Sequence, residues 1–229
     1  MSITTIAGLL LIAVSLAFNA GFALLAAGFD YPDILRPPTA DVLANFRAGG
    51  TPLVLLWAFA LTALLMVPLV VLLSRAIDDA DPTLLALTTT VGVLAALVQF
   101  LGLVRWPFLV PYLARTDADP DASVARREAV DIVFQALNRY LGVAVGEHLG
   151  YLLTGAWTTL TGIALTQTTA APSWIGVLGI AIGPVLILCS LEFVGGHEPA
   201  GWKLAERLTP ITYIAWSLWL VATGVALIA

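Results

Sequence analysis

A glutamate and a histidine stand side by side within an apolar stretch of this sequence. Glu147 and His148 lie in the run Gly146-Glu147-His148-Leu149-Gly150, and Tyr151 follows one helical turn after Glu147. An ionised group near the centre of a bilayer costs roughly 2.5–3.5 kcal/mol, so it normally faces protein or water and has a partner. These side chains are therefore the first candidates for binding a solute or a proton.

Few other polar side chains can lie at the same depth as Glu147. Arg105, Arg139 and Glu192 fall toward the same end of the predicted helices. We expect Arg105 to pair with Glu147 or Glu192, and His148 to border the same pocket. The alternative is a buried salt-bridge network that only fixes the helix register. The predicted ligand or proton pocket consists of Arg105, Arg139, Glu147, His148, Tyr151 and Glu192.

The two histidines do not predict a cofactor. Two imidazoles can hold a haem iron, but His197 follows Gly195-Gly196 in a loop whereas His148 lies within a span. A zinc site formed by Glu147, His148, Glu192 and His197 would have suitable ligands but no recognised spacing. The sequence also lacks nucleophile motifs and glycine-rich phosphate loops. We predict no catalytic residue, no metal and no cofactor.

The elements that position these residues are apolar helices. Of 229 residues, 60% are hydrophobic and 11% are charged, whereas soluble domains are roughly one-quarter charged. Apolar runs occur at about 3–29, 52–74, 84–114, 140–166, 174–195 and 208–229. Each is long enough to span the ~30 Å hydrocarbon layer as a helix. The sequence predicts an all-α, polytopic transmembrane bundle of about six spans in one domain, residues 1–229.

Short connectors are predicted between some of the spans. Tyr31-Pro32-Asp33 and Pro37-Pro38 end the first helix. Thr39 is then predicted to cap a short helix that stops at Gly49-Gly50. We expect this helix to lie on the membrane surface, or alternatively to form a lid over an internal cavity. Ser123 is predicted to cap an amphipathic helix that runs directly into the fourth span.

Small residues recur at every fourth position along the fourth span. Such spacing allows helix backbones to approach closely in membranes, so we expect this helix to be central in the bundle. The residues are Gly142, Gly146, Gly150, Thr154, Thr158 and Gly162.

The distribution of cationic residues predicts the orientation. If the helices alternate in direction, Arg75 lies on one side and all the others lie on the opposite side. The positive-inside rule then places both termini outside the cell membrane and opens the pocket toward the cytoplasm. The residues on the inner side are Arg36, Arg47, Arg105, Arg115, Arg126, Arg127, Arg139, Lys203 and Arg207.

Three stretches resemble a known family. They are Phe29-Asp30-Tyr31-Pro32-Asp33-Ile34-Leu35-Arg36, Gly102-Leu103-Val104-Arg105-Trp106-Pro107-Phe108 and Gly146-Glu147-His148-Leu149-Gly150-Tyr151. Together they resemble a family of prokaryotic multi-pass membrane proteins known only as a domain of unknown function. The resemblance implies a membrane fold of six to seven helices over nearly the whole chain. It implies no activity.

The sequence favours a protein that binds or transports a small solute or a proton. The alternatives are a non-catalytic structural or regulatory membrane subunit and an intramembrane enzyme. We expect the lipid bilayer and a small solute or proton as partners, and the sequence is compatible with a homo-oligomer. Nucleic acid is excluded as a partner because the net charge is -5 and no basic patch is present.

Overall fold

The computed structural model describes residues 1–31, 33–198 and 200–229. Most of these residues form six long helices. They are α1 (Ile3–Phe29), α2 (Thr39–Ala76), α3 (Pro82–Asp117), α4 (residues 124–167), α5 (Ser173–Cys189) and α6 (Lys203–Ile228). Short 3-10 turns lie at Asp33–Leu35 and Gly195–His197. Pro32, in the predicted break after the first helix, lies outside the described residues. The prediction of an all-α polytopic bundle is confirmed.

Four of the six helices are long and apolar enough to cross a membrane within the described part of the chain. These are α1, α2, α3 and α6, whose best windows have mean hydropathies of 1.8 to 2.6. Helix α5 has 17 residues and a length of ~25 Å, slightly less than the ~30 Å hydrocarbon layer. The apolar part of α4 is diluted by threonines such as Thr154 and Thr158. The chain is thus a multi-pass helical membrane protein.

Helix α2 is interrupted at Gly50, where the short connector helix was predicted to stop. Gly50 has φ 55° and ψ -153°, a conformation that favours glycine because it has no Cβ. The chain bends there, and Pro52 follows inside the same helix. Thr39 is the first helical residue rather than the cap, and Pro38 precedes it at the cap position. Helix α2 therefore has a short arm, residues 39–49, followed by a spanning part.

The short arm of α2 packs onto protein. Val42, Leu43 and Phe46 are all buried, and they share an apolar cluster with Trp57 and Trp106. The rings of Trp57 and Trp106 are stacked with their centroids 4.6 Å apart. That the arm lies at the membrane surface, or forms a lid over a cavity, stays a prediction.

Helix α4 lies between α3 and α5, as its stripe of small residues predicted. A Cβ atom on Gly162 would lie 2.6 Å from the Gly176 carbonyl oxygen of α5. On the other side, a Cβ atom on Gly146 would lie 2.9 Å from the Cα atom of Gly102 in α3. Neither position has room for a side chain, so the backbones touch directly. The predicted central position of this helix is confirmed.

The middle of α4 is wound as a π-helix, which the sequence analysis did not predict. The α-helical part Val124–Leu137 leads into a π-helical stretch at Asn138–Leu149, and Gly150–Gln167 resumes the α-helix. Ser123 caps the N-terminus as predicted, because its Oγ accepts a hydrogen bond of 3.2 Å from the Arg126 amide. Glu147 and His148 lie near the end of the π-helical stretch.

Contacts between connections show that successive helices alternate in direction. At one end, Thr168 and the Thr169 amide donate hydrogen bonds to the Asp79 carboxylate. These bonds lower the pKa of Asp79 below its usual range. At the other end, Arg139 pairs with Glu198 at 2.8 Å. Which end faces the cytoplasm stays a prediction.

Candidate functional site

A cavity of about 290 Å³ lies between α4 and the segment that follows α5. Five of the six residues predicted for the pocket line it, and Arg105 does not. Helix α4 contributes Arg139, Val143, Ala144, Glu147, His148 and Tyr151 to the lining, and residues 189–198 contribute Cys189, Ser190, Glu192, Phe193, Val194 and Glu198.

Glu147 faces the cavity, whereas the preceding residue of α4 packs against a different helix. Gly146 packs against Gly102 of α3, which leaves Glu147 and His148 on the side of α5. The Glu147 side chain is half-buried and lines the cavity. Among the residues that the structure describes, none donates a hydrogen bond to its carboxyl group or forms an ion pair with it. The Glu147 carboxyl group is thus available to a ligand.

His148 is held in one orientation by the end of α5. Its Nδ1 lies 2.7 Å from the Ser190 carbonyl oxygen. A carbonyl oxygen can only accept, so Nδ1 carries the proton and donates this hydrogen bond. In the neutral ring, Nε2 is then an acceptor. No hydrogen bond to Nε2 occurs within residues 1–31, 33–198 and 200–229.

Glu192 supplies a second carboxyl group to the lining. Its Oε2 accepts a long hydrogen bond of 3.4 Å from the Thr209 hydroxyl. Its carbonyl oxygen accepts a bond of 2.7 Å from the Trp202 amide, which fixes the chain after α5. Burial raises the pKa of Glu192 above its usual range, and the Thr209 hydroxyl partly opposes that shift.

Tyr151 forms part of the inner wall. Its ring packs edge-on against Tyr213 of α6, with the centroids 5.2 Å apart. In the described part of the chain, its hydroxyl group has no hydrogen-bond partner. The hydroxyl can therefore donate to or accept from a ligand.

Arg139 and Glu198 both line the cavity and form an ion pair, with Nε and Oε1 2.8 Å apart. The side chain of Arg139 is 56% exposed, so the pair contributes little to stability, in the range of ~0–1 kcal/mol. It does link α4 to the loop after α5. It also gives Arg139, which is the only Lys or Arg among the lining residues, an ion-pair partner.

Arg105 does not form the ion pair predicted for it. Its guanidinium group donates a hydrogen bond of 2.9 Å to Asn138 Oδ1 and another to the Gly102 carbonyl oxygen. It also lies 5.3 Å from the centroid of the Trp106 ring. No described carboxylate lies within ion-pair distance. Arg105 is a buried link between α3 and α4, 6% exposed, and is not part of the pocket lining.

The π-helical stretch explains why Arg105 binds Asn138. Asn138 begins this stretch, and Gly142 lies one turn later against the guanidinium group. A Cβ atom on Gly142 would lie 2.7 Å from Arg105 Nη2. Asn138 was not predicted as a partner, although it stands four residues before Gly142, a glycine of the small-residue stripe, and that spacing was a usable signal.

The arrangement can bind a ligand but does not assemble a metal site. No group of three or more His, Cys, Asp or Glu side chains is placed to hold a metal ion in the described ranges. The lining instead presents hydrogen-bond acceptors, namely the carboxyl groups of Glu147 and Glu192 and the Nε2 atom of His148.

No curated protein and no solved structure matches this chain. One family model, described as a domain of unknown function (DUF4386), matches residues 6–224 and so covers all three stretches that carried the resemblance. The chain therefore belongs to the DUF4386 family.

Proposed function

We propose that this membrane protein binds a small polar solute in the cavity between α4 and the segment after α5. The observation that carries the proposal is the Glu147 carboxyl group, which lines the cavity without a partner among the described residues. A polar group removed from water costs free energy unless it is hydrogen-bonded. A solute that donates hydrogen bonds to Glu147 offsets that cost.

The dimensions of the cavity support a small ligand. Its volume of about 290 Å³ is near the lower end of the ~300–1,000 Å³ found for small-molecule sites. Its lining combines aromatic rings, such as Tyr151 and Phe193, with a few polar groups. That combination is typical of sites that bind and orient a small molecule.

A proton is the second candidate for the same site. Glu147, His148 and Tyr151 lie within about one turn of α4, and all three line the cavity. His148 donates through Nδ1 to Ser190, so its Nε2 atom is the acceptor in the neutral ring. A carboxyl group, an imidazole and a phenol at this spacing can pass a proton from one to the next.

The contrast with Arg105 supports a binding role over a purely structural one. A residue kept only to fix helix register has its polar atoms satisfied by protein, and Arg105 meets that condition through Asn138 and Gly102. Glu147 does not meet that condition, and it faces the cavity.

Thermal unfolding of the purified protein in lipid nanodiscs tests the proposal. We expect one or more members of a panel of small cationic, neutral and anionic polar solutes to raise the unfolding midpoint by several degrees at saturating concentration. Glu147→Gln keeps the size of the side chain and should abolish the shift. Glu128→Gln removes an exposed carboxylate near the start of α4, outside the cavity, and it should retain the shift. A panel without effect, or a shift that survives Glu147→Gln, would refute the proposal.

A further inference from the structure

We infer that the solute bound in this cavity is a small organic cation with a primary ammonium group. The inference rests on the proposed function and specifies its ligand class. It follows from the charges, the hydrogen-bonding groups and the aromatic rings of the lining.

The cavity lining contains more acidic than basic side chains. Three carboxyl groups, those of Glu147, Glu192 and Glu198, line the cavity together with a single guanidinium group, that of Arg139. Arg139 pairs with Glu198 at 2.8 Å. Glu147 and Glu192 have no ion-pair partner in the described part of the chain. The lining thus offers two unpaired carboxyl groups with which an incoming cation can pair.

The cavity lining presents hydrogen-bond acceptors that have no donor in the described part of the chain. The Glu147 carboxyl group and the Nε2 atom of His148 are acceptors, and neither has a donor within the described ranges. A primary ammonium group has three donors and no acceptor, so it complements this part of the lining. A carboxylate or phosphate ligand would need donors, and the Arg139 guanidinium group is already paired with Glu198.

The cavity fits an organic cation better than a metal ion. Hard metal ions require several oxygen ligands around one point, and no such group of side chains occurs among the described residues. The cavity is also larger than a single ion needs, at about 290 Å³. The rings of Tyr151 and Phe193 in its lining can contact the alkyl part of a ligand and attract its positive charge.

Three unbranched probes with four-carbon chains and different charges test this inference. They are putrescine, a dication; butanediol, which is neutral; and succinate, a dianion. Calorimetric titration into the protein in nanodiscs should show putrescine binding at least roughly tenfold more tightly than butanediol, because ammonium–carboxylate hydrogen bonds are charge-assisted. Succinate should not bind measurably.

Two variants identify the groups responsible. Glu147→Gln should reduce the preference for putrescine over butanediol by roughly tenfold. Glu192→Gln, placed in the segment after α5 and not in a helix, provides a second measurement if Glu147→Gln fails to fold, and it should reduce putrescine affinity in the same direction. Glu128→Gln, an exposed position of α4 outside the cavity, is the matched control and should leave the preference unchanged.

The outcomes distinguish this inference from the proposed function. If butanediol or succinate binds as tightly as putrescine, and that binding is lost in Glu147→Gln, the cavity binds a solute but the inference about charge is wrong. If no probe binds, the inference is also wrong, and the wider thermal panel decides the proposed function separately.

Discussion

Arg105 and Glu147 lie in neighbouring helices but differ in their hydrogen bonding. Arg105 donates hydrogen bonds to Asn138 and Gly102 and lies against Trp106. Glu147, one turn beyond Gly142 on α4, has no such partner within the described ranges and borders a cavity. The difference follows from helix α4, whose π-helical stretch begins with the amide that binds the guanidinium group. Arg105 therefore has a structural role, whereas Glu147 is available for binding.

A double-mutant cycle tests the structural role of Arg105. Asn138→Ala leaves the buried guanidinium group without its side-chain acceptor and should lower the free energy of unfolding by about 2 kcal/mol. Arg105→Gln combined with Asn138→Ala should reveal a coupling energy of about 1–2 kcal/mol, because the two side chains share one hydrogen bond. Reversible unfolding in mixed detergent micelles provides the measurement.

The exposed arginine Arg127 is the control for that cycle. Arg127→Gln should change stability by no more than about 0.5 kcal/mol. Additive effects of the Arg105 and Asn138 substitutions would contradict the assigned contact.

At the level of residues, the sequence identified the polar side chains but not all of their partners. Arg139, Glu147, His148, Tyr151 and Glu192 were grouped because depth along a helix can be counted from the ends of an apolar run. All five line one cavity. The direction of the Arg105 side chain depends on how α4 is wound beside it, and periodicity alone does not reveal a π-helical stretch.

Among the elements, α4 and α5 are held together by backbone contact. A Cβ atom on Gly155 would lie 2.5 Å from the Gly183 carbonyl oxygen, and Gly162 makes a similar approach to Gly176. Since the obstructing atoms are backbone, they cannot move aside as a flexible side chain would. Close packing of this kind is the main source of helix association in a membrane, where burial from water contributes little.

Substitution of Gly155 tests the importance of this contact. Gly155→Ala should lower the free energy of unfolding by about 1–3 kcal/mol, because the added methyl group separates α4 from α5. Gly28→Ala is the matched control in a helix, since nothing lies within 4 Å of the added Cβ atom. Alanine there should be neutral or stabilising by up to about 1 kcal/mol. Equal losses for both variants would show that the α4–α5 contact has no special importance.

The positions of the helices were more predictable than their internal breaks. The apolar runs located the six helices because a span needs about twenty apolar residues. The break at Gly50 was predicted from the Gly49-Gly50 pair, whereas the π-helical stretch of α4 was not predicted. Thr39, predicted as a cap, instead donates a side-chain hydrogen bond to Asp131 of α4. Such a contact between distant segments is not encoded in local sequence.

For the whole molecule, the alternating helices separate the charges of the two ends. Arg36, Arg115 and Lys203 belong to the end with the Arg139–Glu198 pair, whereas Arg75 lies near the end with Asp79. The cavity is close to the first of these ends. If the positive-inside rule holds for this chain, the cavity opens toward the cytoplasm.

Cysteine labelling of intact cells tests that orientation. Cys189 is buried, and Cys189→Ala provides a background without a native thiol. In that background, Asp78→Cys lies in the exposed connection after α2, and Ala125→Cys lies on the exposed first turn of α4 at the opposite end. A membrane-impermeant maleimide should label Asp78→Cys on intact cells and Ala125→Cys only after permeabilisation. The reverse pattern would place the cavity on the outer side, and the solute that binds Glu147 would then enter from outside the cell.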